Sequence, residues 1–532
     1  MKKILSVFLA FILVFSAIPF SYAADSDSLH IAVTGDIHTM PAPEKISHTN
    51  DSLYSNAHDL GNLFDESMSI FSSFLKDVKK ASPQYLLITG DLTEAGTKEQ
   101  CENVKNYLQK FEKETNIPVY IVPGNHEALN KELSREEIKE IFADFGFNEA
   151  LTCDTETCSY TVDLDKNYRL LAIDSVSWGE CQDGITDSLM LWIKEQVKTA
   201  NNDGKHIIAM MHHPLVEHFI LHSTLLPEFI IKNWKELATF FADNGIQYVF
   251  TGHEHENDIA EFTSKNGNTV YDCMSPSLNY ICPAYRDIVF SDENVSFNLR
   301  KITEIDDTQL SANYPEVQKQ ALKNDLWTYS YGYFSKSMEL VVRDIIESEK
   351  IINKLPVSNK IISNIINRVL FTFEDCLLDM PLYGKGSLSE LAAKQGIKIP
   401  ETKYNTLFDC CVEILAAHYR GDENIPANDP IIQTAVKGVA FAAEYSLQSL
   451  SPVLQKTVLQ YFGIKYRNSI YESVIKAISP IIEGATVDLT PDSNVVLPAY
   501  REPVTANFFQ KIINTIKPLF ESVIRVLKIY SI

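Results

Sequence analysis

Positive charge is what this 532-residue sequence has least of: 47 Lys and Arg stand against 70 Asp and Glu, a formal net charge of −23. Nucleic-acid polymers are held by clustered basic side chains, so that class of partner is excluded. An anionic small substrate stays open, provided that something positive other than side chains receives it. Cysteine is scarce too. Nine residues are too few for a disulfide scaffold, and the odd number leaves at least one unpaired. No C-x-x-C spacing occurs, which argues against a thiolate zinc site. Cys153 and Cys158 flank Asp-Thr-Glu-Thr between two alternating runs; a hairpin-closing disulfide is plausible there, with free thiols the alternative. Internal repeats and low-complexity tracts are missing. After the amino terminus no apolar run reaches the roughly 20 residues of a membrane span.

Histidine is nearly missing from one half. Twelve of the thirteen lie between His30 and His255, and only His418 lies beyond. Charge divides the same way: residues 306–532 hold 23 basic and 25 acidic side chains, whereas residues 25–305 hold 22 and 45. The length suits two or three domains, and the halves differ in chemistry.

Residues 1–24 read as a secretory signal. Lys2 and Lys3 precede an apolar run from Ile4 to Phe20, and small residues at Ser21 and Ala23 suit cleavage. No cysteine follows that run, so a lipid anchor is not expected. The mature protein is expected to be soluble and secreted, outside the cytoplasm of a bacterium.

Between residues 28 and 300, strand-length apolar runs alternate with longer amphipathic segments. Leu29–Thr34, Tyr85–Thr89, Pro118–Val122, Arg169–Ile173, His206–Met211 and Gln247–Thr251 are the runs. Leu63–Ala81, Lys98–Thr115, Arg135–Phe145 and Asn233–Asn244 have helical periodicity. Such alternation predicts a layered α/β fold with chemistry in loops at the carboxyl ends of strands. After Ile305 the segments Met338–Leu355, Asn359–Met380, Tyr404–Tyr419, Ile431–Leu450 and Asn507–Ile529 are helical in period, and no strand pair stands out. The expected division is a signal at 1–24, an α/β domain at 25–305 and an all-α C-terminal domain at 306–532, with a looser strip at Thr486–Thr505.

Five polar blocks end five of the apolar runs: Gly35-Asp36-Ile37-His38, Gly90-Asp91-Leu92-Thr93, Gly124-Asn125-His126-Glu127, Met211-His212-His213-Pro214 and Gly252-His253-Glu254-His255. In the first and last, two ligand-type residues stand at i and i+2, a spacing that aims both side chains to one side of an extended chain. Hard oxygens mixed with imidazole nitrogens suit Zn, Mn or Fe(II). Any one block alone is a commonplace loop. A purely structural core would not gather seven ionisable or amide groups at strand ends, because unpaired buried polar groups cost free energy.

The ordered blocks resemble the calcineurin-like metallophosphoesterase superfamily over residues 28–300. That resemblance implies a layered β-sandwich flanked by helices and two divalent metal ions, Mn, Zn or Fe. Position by position, it implies that Asp36, His38, Asp91 and His255 hold one metal. Asp91 then bridges to a second, held by Asn125, His212 and His253. His126 corresponds to the family's non-ligand histidine, which contacts the phosphate or protonates the leaving oxygen, and His213 to a supporting residue. The implied activity is hydrolysis of a small phosphoester by attack of a metal-bridging hydroxide, diesters favoured over monoesters, with a phosphomonoesterase or nucleotidase as the runner-up. Leu92-Thr93-Glu94 lacks the tyrosine that purple acid phosphatases place shortly after this aspartate. Met274-Ser275-Pro276-Ser277-Leu278 and Tyr285-Arg286 resemble bacterial cyclic-nucleotide-phosphodiesterase-like members.

Other residues keep two readings at this point. His218 and His222 either reach the substrate pocket or are solvated or capping loop histidines, the second being favoured. Arg286 either contacts a phosphate or forms a structural ion pair. His48 and His58, in the polar loop Thr39–Gly61, are not expected to be ligands. The helical half is either a module that binds membrane lipid, cell envelope or another protein, or a cover over the sheet edge and the substrate cleft; the basic amphipathic segment at 507–529 either lies on a membrane surface or packs against the other helices, the second being favoured.

Overall fold

The computed structural model describes residues 28–40, 61–128, 131–178, 184–220, 222–347, 360–421, 423–461, 463–484, 486 and 492–503. The signal segment, His48, His58 and the amphipathic segment 507–529 lie outside the described residues.

Each strand-length run forms a strand at or within two residues of its expected bounds. In chain order they are β1 (Leu29–Thr34), β2 (Tyr85–Ile88), β3 (Val119–Ile121), β4 (Thr152–Cys153), β5 (Tyr160–Asp163), β6 (Tyr168–Ile173), β7 (His206–Met211), β8 (Tyr248–Thr251), β9 (Ile259–Thr263), β10 (Thr269–Met274), β11 (Ala284–Phe290), β12 (Asn294–Lys301) and β13 (Val495–Pro498). They make two mixed sheets, β13-β12-β11-β1-β2-β3 and β4-β5-β6-β7-β8-β10-β9. Strand alternation sorts the side chains into layers. Leu29, Ile31 and Val33 of β1 meet Ile208, Met210, Tyr248 and Phe250 of the second sheet in a core between the sheets. Ala32, one step out of phase, faces the helices Ser67–Ala81 (α1) and Lys98–Thr115 (α2). On the far side, the helices Asp187–Asn202 and Trp234–Asp243 cover β6, β7 and β8. The result is a β-sandwich flanked by helices on both faces.

Helix starts follow local chemistry. Thr97 caps α2 through its side chain on Gln100 N, and Ser134 with Glu137 forms a capping box at Arg135–Ile141. The periodicity that runs on to Phe145 ends early, in a π-turn at Ala143–Phe147 where Gly146 takes φ +114°.

The carboxyl half is helical, with Leu326–Glu347 (α3), Lys360–Glu374, Leu407–Arg420 (α4), Pro430–Leu447 and Ile470–Gly484 its longer members. Two expectations are corrected here. The strip at 486–505 contains strand β13, which pairs antiparallel with β12 and so extends the sheet of the metal-block half. No alternation announces it, because a four-residue edge strand is defined by its long-range partner. The Cys153–Cys158 disulfide does not form. The hairpin register sets Cys153 opposite Tyr160, while Cys158 turns inward, buried, with its thiol on Arg135 O at 3.6 Å; both are free.

Candidate metal centre

The five blocks meet along one edge of the sandwich. β1, β2 and β3 run parallel in the first sheet, and β7 and β8 run parallel in the second, so five carboxyl ends face the same way. Backbone bonds then join block to block: Asp36 N to Gly90 O, His38 N to Asp91 O, and Gly252 N to His212 O. Glycine is required by space at two of these crossings. A Cβ on Gly124 would lie 2.1 Å from Asp91 Oδ1, and one on Gly252 would lie 2.4 Å from Asp36 Oδ2.

All seven expected ligands and His126 are brought together. Asp91 Oδ2 stands 3.3 Å from His212 Nε2, 3.6 Å from His38 Nε2 and 3.9 Å from His126 Nε2, the shared position expected of a bridging carboxylate. His212 Nε2 is also 2.8 Å from Asn125 Oδ1 and 3.2 Å from His253 Nδ1. On the other side, His38 Nε2 is 3.0 Å from His255 Nε2, which lies 3.7 Å from Asp36 Oδ1. Four sets of donors with atoms within 4.8 Å of one another lie here among the described residues: Asp36 with His38 and His255, Asp36 with Asp91 and His212, His212 with His213 and His253, and His38 with Glu94 and His126.

The donor chemistry fits cations. His212 Nδ1 lies 2.9 Å from Thr89 O; a carbonyl only accepts, so this nitrogen carries the proton. Nε2 of the neutral ring is then a lone pair facing the Asn125 and Asp91 oxygens. Acceptors crowded on acceptors are relieved by a proton or by a cation. Without a cation the balance is uneven. Burial opposes charge on His212 and His38, but Asp91, joined by Glu94 at His38, pushes both up to about 9. Burial and histidine neighbours hold His253 and His255 well below the usual range. Burial likewise raises Asp36 to about 7. It works the same way on Asp91, but His212, His126 and His38 prevail and keep that carboxyl well below its ordinary value.

Sequence reasoning left out the groups that hold this shell. Glu127, fully buried, accepts from Thr93 N, Thr93 Oγ and Gly124 N at 3.0, 2.9 and 2.8 Å, clamping the second block to the third. Glu94 Oε2 takes His38 Nδ1 at 2.9 Å, and Ser175 Oγ lies 2.8 Å from His213 Nδ1, which gives His213 its supporting place. An acidic residue within three positions of Asp91 and of Asn125 was the available signal for both glutamates.

Two readings are settled against the pocket. Arg286 is buried and donates to the main-chain oxygens of Met274, Asp258 and Asp492 at 2.7, 2.9 and 2.8 Å, so it contacts neither a phosphate nor an ion-pair partner in this set of bonds. His218 and His222 are not solvated loop histidines either: both side chains are buried, His218 against Asp258 and Asp272 and His222 against Glu254.

The geometry is that of a helix-flanked β-sandwich with carboxylate, amide and imidazole donors converging from five strand ends, a candidate metal centre. Residues 29–257 match the family model described as calcineurin-like phosphoesterase. Curated relatives include a probable glycerophosphodiester phosphodiesterase, GpdQ, of Arcobacter nitrofigilis, 27% identical over 143 residues, 27% of this chain and 46% of that protein. The 3',5'-cyclic-nucleotide phosphodiesterase alr5338 of Nostoc is 26% identical over 40% of this chain and 69% of its own. This chain thus spans under half of the first relative's length. Among solved structures, a dimetal phosphatase from Danio rerio is similar over 52% of this chain and 97% of its own, with a TM-score of 0.37 and 11% identity.

Proposed function

We propose that this protein is an exported phosphoesterase that hydrolyses small phosphate esters with two divalent cations, phosphodiesters in preference to monoesters. The observation that carries the reading is Asp91 Oδ2, buried and shared between His38 and His212. Asp36, His38, Asp91 and His255 would hold one cation, and Asp91, Asn125, His212 and His253 the other. When bound, such ions supply Lewis-acid activation of water and neutralise charge on the phosphate. They are also the source of positive charge that the acidic protein lacks.

The chain's own work is positioning and proton transfer. His126 Nδ1 lies 2.6 Å from Glu94 O, so this nitrogen donates and Nε2 is turned toward the centre, 3.9 Å from Asp91 Oδ2. With 23% of its side chain exposed against 2% for His38, His126 faces the side from which substrate enters. A protonated Nε2 there delivers a proton to the departing ester oxygen. The preference for diesters is supported by the phosphodiesterase names of the relatives and by the missing tyrosine after Asp91.

The helical half, on this reading, braces the centre rather than acting as a separate module. His418 Nε2 meets Glu256 Oε1 at 2.7 Å, Tyr419 O accepts from Asn257 N, and Tyr280 lies between His255 and Tyr419 with ring centroids at 5.3 and 5.1 Å. Among the described residues no helix is long and apolar enough to cross a membrane.

The test is turnover of bis(p-nitrophenyl) phosphate and p-nitrophenyl phosphate with Mn²⁺ or Zn²⁺, by the wild type and Asp91→Ala. Metal-dependent hydrolysis lost in the variant is expected. Faster turnover of the monoester would move the reading to a phosphomonoesterase, and no turnover of either ester would overturn it.

A further inference from the structure

The centre is closed on one side and open on the other. Asp36, His38, Asp91 and His212 are buried, whereas Asn125, His126, His253 and His255 are half-buried and form the accessible side. The two ends of that side are flanked differently. At one end His126 lies beside His38, with ring centroids 4.5 Å apart. At the other, three rings surround His253: the buried His212 and His213, at 4.9 and 4.4 Å, and the half-buried Phe229, at 4.9 Å and 33°. Of these three only Phe229 reaches solvent.

The chain holds Phe229 in that place. The segment that leaves the fourth block returns to it: Ile231 N donates to Pro214 O at 3.3 Å, and Ile230 and Ile231 are buried. Phe229 N closes a turn on Leu226 O at 3.0 Å, and Leu226, 37% exposed, adds apolar surface to that turn. Between Pro214 and Ile231 the sequence has no Lys or Arg, while Glu217 and Glu228 are acidic. The segment thus brings an aromatic ring to His253, and neither Lys nor Arg.

We propose that Phe229 forms the subsite for the ester group that a phosphodiester keeps after hydrolysis, and that this group is apolar, an aryl group above all. The inference rests on the function proposed above. A diester has two ester oxygens. The departing one faces His126, its proton source; the other stays on phosphorus, and the accessible side leaves it the His253 end. There an apolar group lies against the ring of Phe229 and leaves water. A monoester would set a charged oxygen beside an aromatic ring, whose face is negative, with no basic side chain in the segment to receive it. The preference for diesters then follows from Phe229 rather than from the cations, which are the same for both.

The experiment gives the full chain, loaded with Mn²⁺, methyl p-nitrophenyl phosphate and phenyl p-nitrophenyl phosphate, which share a leaving group and differ in the retained one. The ratio of kcat/KM, phenyl over methyl, is measured in the wild type, Phe229→Ala and Phe229→Leu. Comparing ratios between chains removes both the intrinsic reactivity of the esters and any general loss from a shifted His253. In Phe229→Ala the ratio is expected to fall about 3- to 10-fold, through KM of the phenyl ester, and in Phe229→Leu to fall less. A ratio unchanged in both variants overturns the subsite and leaves the phosphoesterase reading in place. No turnover of either diester by the wild type overturns both.

Discussion

The Nε2 atoms of His38 and His255 stand 3.0 Å apart, and both residues hold positive φ, as do Asp36, Asp91 and His253. Nine described non-glycine residues adopt that conformation, so five of the seven proposed ligands carry a backbone cost of about 1–3 kcal/mol each. Strain of this kind persists where something over-determines it, and on the proposed reading a cation held by these residues would do so.

Removing that cation should therefore destabilise the fold, not merely stop turnover. A site held at a hundred times its Kd adds about 2.7 kcal/mol. Chelator treatment is expected to lower Tm, and Mn²⁺ or Zn²⁺ to restore it. A chelated chain that melts at the untreated temperature would show that the His38–His255 pair needs no cation.

His126 offers a sharper division. As a general acid it should contribute about 10²–10⁴-fold, but only where the leaving oxygen needs a proton. His126→Ala is expected to reduce kcat strongly on an alkyl phosphodiester and far less on a p-nitrophenyl ester, whose leaving group departs as a stable anion. Equal losses on both substrates would instead assign the residue to phosphate binding.

Much of this was legible because local chemistry and long-range contact agree in the metal-block half. β1 and β7 fall on their apolar runs and α2 begins at its Thr97 cap, so the carboxyl ends, and with them the side chains of the five polar blocks, could be located from the sequence. What escaped is settled by partners far along the chain. His218 looks like a loop histidine until Asp258 and Asp272 close on it, and Arg286 looks free to bind phosphate until three carbonyls surround it. β13 is four residues that become a strand only against β12. Glu94 and Glu127 were visible as acids, but their duty to His38 and Gly124 depends on how the loops cross.

The seam between the halves should be costly to break on one side only. His418 and Glu256 form a buried pair at 2.7 Å, and removing one partner strands the other's charge or hydrogen bond, at about 3–5 kcal/mol. His418→Ala is expected to lower the unfolding free energy measured in urea by that amount, and adding Glu256→Gln should recover part of the loss. A double variant no more stable than His418→Ala would mean that packing, not charge, sets the cost.

Asp306, where the helical half begins, gives the pH dependence. Burial pushes its carboxyl up, but Lys76 Nζ at 2.7 Å, Thr308 Oγ at 2.6 Å and Ser72 Oγ at 2.7 Å prevail and hold it well below the usual carboxylate range. The folded value is thus the lower one, so the stabilisation is complete above the unfolded value of about 3.9 and is lost as pH falls through the folded one. Charged hydrogen bonds contribute about 1.5–3 kcal/mol, reduced here because Lys76 is 61% exposed; Asp306→Asn should therefore cost about 1–2 kcal/mol at pH 7. In urea unfolding, the gap between wild type and variant should stay constant from pH 8 to about 5 and narrow below about 4. A gap as wide at pH 3 as at pH 7 would place the contribution in hydrogen-bond geometry that asparagine also fails to supply, not in the ionised carboxylate.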